Sequence, residues 1–170
     1  MIEFGLLAKA GKVLDLGCGK GADSILLAQK GYEVTAVDIK KQSFEDPKIA
    51  FIQSAIESFD IKKNTYAAII ARNVLPFVND KNKVERILKV MTEGLTEEGC
   101  MFLTVFGVKD DWFGKEHMSF FAEAEIDLIV SKLPIKVFEK NAMEGFGLTM
   151  SKDIKYWNVF SYICTKKVIR

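Results

Sequence analysis

The sequence predicts an α/β fold with a doubly wound, mostly parallel seven-stranded sheet that is closed by an antiparallel strand. Short apolar runs alternate with amphipathic helical patterns along the chain, which is typical of a parallel sheet covered by helices. The first run leads directly into three alternate glycines, Gly17, Gly19 and Gly21, and such a turn lets a ligand approach the backbone. A length of 170 residues with 49% hydrophobic content suits one domain, so we expect residues 1–170 to form a single unit.

Five strands are expected in the first two thirds of the chain. The apolar runs at 12–16, 33–37, 49–52, 67–71 and 101–106 have the length of buried strands. One helical face is formed by Val84, Ile87, Leu88, Met91 and Leu95, and another helical pattern begins at Ile25. After residue 106 the pattern predicts a helix around 122–131 and two strands near 135–139 and 159–165. We expect these last two strands to pair as an antiparallel hairpin.

Composition narrows the class of partner. Twenty-four basic residues face 23 acidic ones, so nothing favours a nucleic-acid backbone or an anionic membrane as partner. The three cysteines, Cys18, Cys100 and Cys164, are widely separated, which predicts reduced thiols and no metal site. The sequence has no apolar stretch of membrane-spanning length and no signal-peptide pattern. A cytoplasmic protein is therefore expected.

The polar residues of interest follow the predicted strands. Ligands of doubly wound sheets bind outside the carboxyl ends of the strands, where the strand order reverses. Four segments would meet there, at residues 15–21, 38–39, 54–57 and 72–77. The sequence thus predicts one crevice built from four loops.

Two interpretations of this crevice remain open on spacing alone. Gly17, Gly19 and Ala22, with Asp38 further on, satisfy the relaxed dinucleotide fingerprint of a nicotinamide-dependent oxidoreductase. Such an enzyme needs hydride-transfer machinery, and the candidate is the Tyr-x-x-x-Lys pair Tyr162 and Lys166. That pair lies in a predicted strand, where four positions separate side chains by roughly 13 Å. A chance match is the simpler explanation of the pair.

The ordered motifs resemble a known family, the class I S-adenosylmethionine-dependent methyltransferases. Residues 13–21, 32–38, 51–59 and 66–77 carry the resemblance, which spans roughly 12–107. Within the family the chain is most similar to small-molecule methyltransferases of the tellurite-resistance type. Their pattern Leu-Ala-x-x-Gly-Tyr-x-Val-x-Ala-Val-Asp is reproduced by residues 27–38. The resemblance implies a Rossmann-like domain that binds S-adenosylmethionine.

The resemblance also assigns the cofactor residues. These are Asp15, Gly17, Cys18, Gly19, Asp38, Ile39, Ser54, Ala55, Ile56 and Arg72. It implies that the glycine loop passes beside the methionine portion, that Asp38 holds the ribose hydroxyls, and that two isoleucines sandwich the adenine. Asp15 suits a ligand with a sulfonium and an ammonium, and it equally suits hydrogen bonds to the glycine loop. For Arg72, a solvated ion pair is the alternative to a place beside the methyl group.

Two departures from the family pattern bear on cofactor binding. Ser54 stands where the family usually has an acidic residue near the adenine amino group. About a dozen residues precede the first strand, where many relatives carry a helix over the cofactor. We therefore expect an open site, or one covered by a second copy of the chain in a homodimer. A domain that keeps the fold as a non-catalytic interaction surface is the alternative of a different class.

The acceptor side is less defined than the cofactor side. The candidate pocket residues are Asn73, Phe77, Phe106 and His117. No clear catalytic base is found, and methyl transfer to a thiol or metalloid does not require one. The aromatic residues between 112 and 121 suit either an apolar pocket or core packing. The expected partner is a small-molecule methyl acceptor, whose identity the sequence does not specify.

Overall fold

The computed structural model describes residues 11–167. Its strands are β1 (Lys12–Leu16), β2 (Glu33–Asp38), β3 (Ile49–Gln53), β4 (Tyr66–Ala71), β5 (Leu95–Gly107), β6 (Phe120–Phe121), β7 (Ile135–Leu148) and β8 (Ile154–Lys166). Its helices are α1 (Ala22–Gln29), α2 (Lys81–Gly94) and α3 (Glu123–Ser131), with a 3-10 turn at Leu75–Phe77. The expectation about a covering element before the first strand falls on residues 1–10, which lie outside the described residues.

The sheet confirms the predicted α/β class. Its order is β3-β2-β1-β4-β5-β8-β7, with β1 to β5 parallel and β8 antiparallel between β5 and β7. The seven predicted strands form this path, and within the described chain the two-residue strand β6 adds a short parallel pairing at the end of β5. Two residues are too few to show a periodicity, so the sequence pattern could not reveal β6.

The strand order reverses between β1 and β4. Strand β1 pairs with β2 on one side and with β4 on the other, so the connections that leave β1 and β4 diverge at their carboxyl ends. This divergence opens the crevice in which doubly wound folds bind ligands. The predicted location of the site is therefore a consequence of the topology.

The helices follow the expected amphipathic patterns, with two differences. Asp80 caps α2 by accepting a hydrogen bond from the Asn82 N–H at 2.8 Å, and the apolar face of α2 is buried against the sheet. Leu95, expected on this helix, instead begins β5. Between residues 39–48 and 54–65 the chain runs as loops, so two of the connections lack a covering helix.

The closing hairpin is longer than the apolar runs indicate. The last β5–β8 pair is Phe106 with Val159, whereas β7 and β8 stay paired as far as Leu148 and Ile154. The end of the hairpin thus projects beyond the carboxyl edge of the sheet, beside the end of β5. Within residues 11–167, no helix has the length and apolar character needed to cross a bilayer.

Candidate functional site

A cleft of about 220 Å³ opens at the carboxyl edge, where the topology predicts a ligand. Its lining residues are Gly17, Asp38, Ile39, Ser54, Ala55, Ile56, Glu57, Val74, Phe77 and Val78. Seven of these belong to the predicted site. Asp15, Cys18, Gly19, Arg72, Asn73, Phe106 and His117 were also predicted, but they do not line this cleft.

The glycine loop is held against the end of β2. The backbone N–H groups of Gly17 and Cys18 donate to the carbonyl of Val37 at 2.7 and 3.0 Å. Gly17 has φ +68, and a Cβ at this position would overlap the Val74 side chain. Gly19 has φ +54 and open space on its Cβ side, with no atom within 4 Å. The loop therefore packs tightly at Gly17 and is open at Gly19.

Asp38 links the glycine loop to the end of β2. Its Oδ2 accepts a hydrogen bond from the Gly19 N–H at 2.8 Å, and its Oδ1 accepts one from the Lys40 N–H at 2.8 Å. A carboxylate has about four acceptor positions, so both oxygens keep capacity for further donors from the cleft. Two ribose hydroxyls are donors of this kind.

Asp15 lies in β1, just before the glycine loop, and is only 3% exposed. The Ser24 hydroxyl donates to its Oδ2 at 2.6 Å, so Asp15 ties β1 to α1. Burial raises the pKa of the Asp15 carboxyl to about 6, against the opposing effect of the Ser24 hydrogen bond. The Asp15 charge thus changes within the range between mild acid and neutral pH.

Two further predicted cofactor residues, Arg72 and Cys18, interact with charged groups of the protein. Arg72 forms an ion pair with Asp23 of α1 at 2.8 Å, which matches the alternative of an ion pair stated for this residue. Burial, and then the charges of Asp15 and Asp38, raise the pKa of the Cys18 thiol to about 12. Cys18 is therefore protonated at neutral pH and is not a nucleophile.

The other end of the cleft is apolar with one acidic residue. Ile39 is exposed whereas Ile56 is buried, and both line the cleft. The Ser54 hydroxyl donates to the Ala55 carbonyl at 2.9 Å, which leaves its lone pairs available as acceptors. Glu57 also lines the cleft, although no sequence motif singled it out. Its place three residues after Ser54, in the same predicted loop, was the available signal.

The predicted acceptor residues are not gathered in one place. The Asn73 N–H donates to the Thr104 hydroxyl at 2.7 Å, and that hydroxyl donates to Asn73 Oδ1 at 3.1 Å. Phe77 lines the cleft, while Phe106 is buried behind it, with ring centroids 6.4 Å apart. His117 is exposed in the loop between β5 and β6, with φ +65.

The Tyr162 and Lys166 pair has no dehydrogenase geometry. Both residues lie in β8. The Tyr162 hydroxyl donates to Asp127 at 2.8 Å, whereas the Lys166 ammonium donates to Asn64 and to the Leu95 carbonyl. These are contacts between secondary-structure elements, so the pair gives no support to hydride transfer. Among residues 11–167 no group of three His, Cys, Asp or Glu side chains is placed to hold a metal.

Two curated proteins resemble part of the chain. YqeM of Bacillus subtilis (strain 168) is 34% identical over 110 residues, which is 58% of this chain and 44% of YqeM. TehB of Haemophilus influenzae is 33% identical over 109 residues, or 59% of this chain and 37% of TehB. The match thus spans less than half the length of these curated relatives.

Solved structures show the same fold. A SAM-dependent methyltransferase from Methanosarcina mazei superposes with a TM-score of 0.77 at 20% identity, covering 96% of each chain. The structure of TehB from Haemophilus influenzae gives a TM-score of 0.76 at 24% identity, covering 93% of this chain and 58% of that one. At these identities the likeness shows the fold.

The family follows from a separate match. A family model described as a methyltransferase domain matches residues 3–151, well over half of the chain. That match agrees with the doubly wound sheet, the glycine loop after β1 and the acidic residue at the end of β2. The chain therefore belongs to the class I S-adenosylmethionine-dependent methyltransferase family.

Proposed function

We propose that this protein transfers the methyl group of S-adenosylmethionine to a small-molecule acceptor. The observation that carries the proposal is the cleft at the strand-order reversal, where Asp38 is joined to the glycine loop through the Gly19 N–H. A carboxylate at the tip of the second strand and a loop that is open on one side form a cradle for an adenosyl ligand.

The residues present fit the cofactor in three places. Asp38 keeps acceptor capacity for the ribose hydroxyls, and Ile39 with Ile56 provides apolar surfaces for the adenine. The open side of Gly19 leaves room for the methionine portion. Glu57 is an acceptor for the adenine amino group in addition to Ser54, which offsets the departure from the family pattern at Ser54. When bound, the cofactor supplies a methyl group on a positively charged sulfur.

The task of the chain is alignment of the two reactants. Methyl transfer is an in-line displacement, so the protein must hold the nucleophile about 3 Å from the methyl carbon on the side opposite the sulfur. The titratable side chains among the lining residues are Asp38 and Glu57, and Asp38 already accepts two backbone hydrogen bonds. Acceptors that ionise without a general base, such as thiols or metalloid oxyanions, are the first to test.

The setting of the reaction is part of the same proposal. The three free cysteines suit a reducing compartment such as the cytoplasm. The near balance of basic and acidic residues favours a small acceptor over nucleic acid. It also remains a prediction that the chain forms a single domain. A homodimer that covers the cleft is a further prediction, and light scattering after size-exclusion chromatography measures the oligomeric state.

Calorimetric titration of S-adenosylhomocysteine tests the proposal, with NAD as comparison ligand. We expect binding of S-adenosylhomocysteine and loss of it in Asp38→Ala. Asp46→Ala is the matched control, because Asp46 Oδ1 accepts a hydrogen bond from the Lys48 N–H at 2.9 Å, as Asp38 does from Lys40, but Asp46 does not line the cleft. The control variant should bind like the unmodified protein.

The opposite results are equally informative. No heat with S-adenosylhomocysteine, and no thermal stabilisation at about 100 times the expected dissociation constant, where linkage predicts roughly 2.7 kcal/mol, would refute the proposal. Tight binding of NAD alone would support an oxidoreductase instead. Cofactor binding without turnover of thiol, metalloid, amine and hydroxyl acceptors would indicate a non-catalytic interaction domain.

A further inference from the structure

An aromatic cluster adjoins the cleft on the side of β5. We call it the aromatic wall, and its members are Phe77, Phe106, Trp112, Phe113, Phe120 and Trp157. Phe77 lines the cleft and also contacts Phe106 and Trp112, with ring centroids 6.4 Å away in both cases. The ring centroids of Trp112 and Trp157 lie 5.6 Å apart, as do those of Phe113 and Phe120. The aromatic wall therefore begins where the proposed cofactor cleft ends.

Part of the aromatic wall is open to solvent. Phe77 is 54% exposed and Phe113 is 59% exposed, and Trp112 is partly buried. Burial of apolar surface away from water is favourable, so this exposed surface is a source of binding energy for an apolar ligand. Behind it, Phe106 is 1% exposed and provides a fixed support.

A buried ion pair holds the aromatic wall from behind. Lys155 of β8 is 3% exposed and pairs with the buried carboxylate of Asp110. Its ammonium lies 4.2 Å from the ring centroid of Trp112, 4.0 Å from that of Trp157 and 4.9 Å from that of Phe106. Asp110 also accepts the Trp112 N–H at 3.0 Å. The pair thus anchors the segment that carries Trp112 to the closing hairpin.

The charges of this region distinguish between acceptor classes. The cation inside the aromatic wall is neutralised by Asp110, and its burial keeps it from a ligand. Lys115 is another ammonium at the rings, 4.4 Å from the Trp112 centroid, and it is exposed. A compact oxyanion gains little from one exposed lysine. A planar ring gains aromatic contacts in addition to the burial of its apolar surface.

From these observations we infer that the aromatic wall is the acceptor subsite and that it takes a planar aromatic acceptor. The inference rests on the proposed methyl transfer, because Phe77 lines the cleft proposed for the cofactor and also contacts the aromatic wall. The ring of the acceptor packs on Phe77 and Trp112. Its thiol group, which ionises without a general base, then points toward the cleft.

Binding to the full chain saturated with S-adenosylhomocysteine tests the inference without a need for turnover. The probe is 2-naphthol, and its saturated analogue decahydro-2-naphthol and potassium tellurite are the comparisons. Isothermal titration and tryptophan fluorescence report binding. We expect 2-naphthol to bind about tenfold more tightly than either comparison, which corresponds to roughly 1.4 kcal/mol.

Matched variants locate the bound probe. Phe77→Leu and Trp112→Leu remove a ring but keep an apolar side chain, and each should weaken 2-naphthol binding about fivefold or more. Phe138→Leu is the control, since Phe138 is 60% exposed on β7 and lies away from the aromatic wall. It should leave the affinity unchanged.

The outcomes separate the two proposals. Failure to bind S-adenosylhomocysteine would refute the methyltransferase function itself. If S-adenosylhomocysteine binds normally, any of four results would overturn the inference alone. These are equal affinity for 2-naphthol and its saturated analogue, preferential tellurite binding, no 2-naphthol binding, and full affinity in both ring variants. A preference for 2-naphthol that both ring variants lose and the control keeps would establish the aromatic wall as the acceptor subsite.

Discussion

Adding one methyl group at Gly17 or at Gly19 tests the glycine loop with two almost identical changes. Both residues have left-handed backbone, with φ +68 and φ +54. They differ in their surroundings, because a Cβ at Gly17 would overlap Val74 while a Cβ at Gly19 has no atom within 4 Å. Gly17→Ala should therefore destabilise the fold, whereas Gly19→Ala should weaken ligand binding.

The magnitudes follow from these two environments. Left-handed backbone costs a residue with a Cβ roughly 1–2 kcal/mol, and this cost applies to both variants. Gly17→Ala adds the overlap with Val74, and overpacking typically costs about 1–3 kcal/mol. We expect a loss of about 2–5 kcal/mol for Gly17→Ala and about 1–2 kcal/mol for Gly19→Ala. For a chain of this size each kcal/mol lowers Tm by about 2–4 °C.

Thermal unfolding and titration of S-adenosylhomocysteine measure the two effects separately. Gly19→Ala should keep most of its stability but lose affinity about tenfold or more, because its methyl group occupies the space proposed for the methionine portion. Combining Gly17→Ala with Val74→Ala should restore part of the lost stability by removing the overlap. If Gly19→Ala binds S-adenosylhomocysteine normally, the cofactor does not pass its open side. If Gly17→Ala is no less stable than Gly19→Ala, the packing argument is wrong.

Two further predictions concern buried charges. The pKa of Asp15, about 6 in the folded chain, exceeds its value of about 3.9 in the unfolded chain, so the folded state binds more protons between these pH values. The free energy of unfolding should fall by up to about 3 kcal/mol as pH rises through this window and stay low above it. Urea unfolding at a series of pH values measures this fall, which should be absent in Asp15→Asn. An unchanged fall in that variant would show that Asp15 is not its cause. Lys155→Met leaves Asp110 buried without its cation and should cost about 3–5 kcal/mol in thermal unfolding. Adding Asp110→Asn should recover at least half of that loss, and no recovery would exclude the ion pair as the cause.

Much of the fold and the position of the cleft were predictable from the sequence. The parallel strands are short apolar runs, and a local pattern is enough to identify them. The glycine loop and Asp38 directly follow such runs. The carboxyl ends of parallel strands meet at one edge of the sheet, so the sequence pattern alone places Gly17, Asp38, Ile39 and Ile56 together.

Other features depended on contacts between distant segments. The length of the hairpin could not be predicted, because its outer half pairs only with itself, and exposed strands lack a clear apolar alternation. The ion pair of Arg72 with Asp23 joins the end of β4 to α1, and neither residue indicates the other in the sequence. Segment 54–57 was expected at the crevice, but only the structure shows that Glu57 itself lines the cleft.

The sequence by itself thus determined the family, the positions of the parallel strands along the chain and the loops that form the cleft, since these are encoded in patterns a few residues long. The tertiary structure decided which side chains form the aromatic wall beside the cleft. Asp110 and Lys155 are 45 residues apart in the chain, and Phe77 meets Trp112 only because two loops leave neighbouring strands at the same edge. Contacts of this kind depend on how whole elements pack together, and no local pattern specifies them.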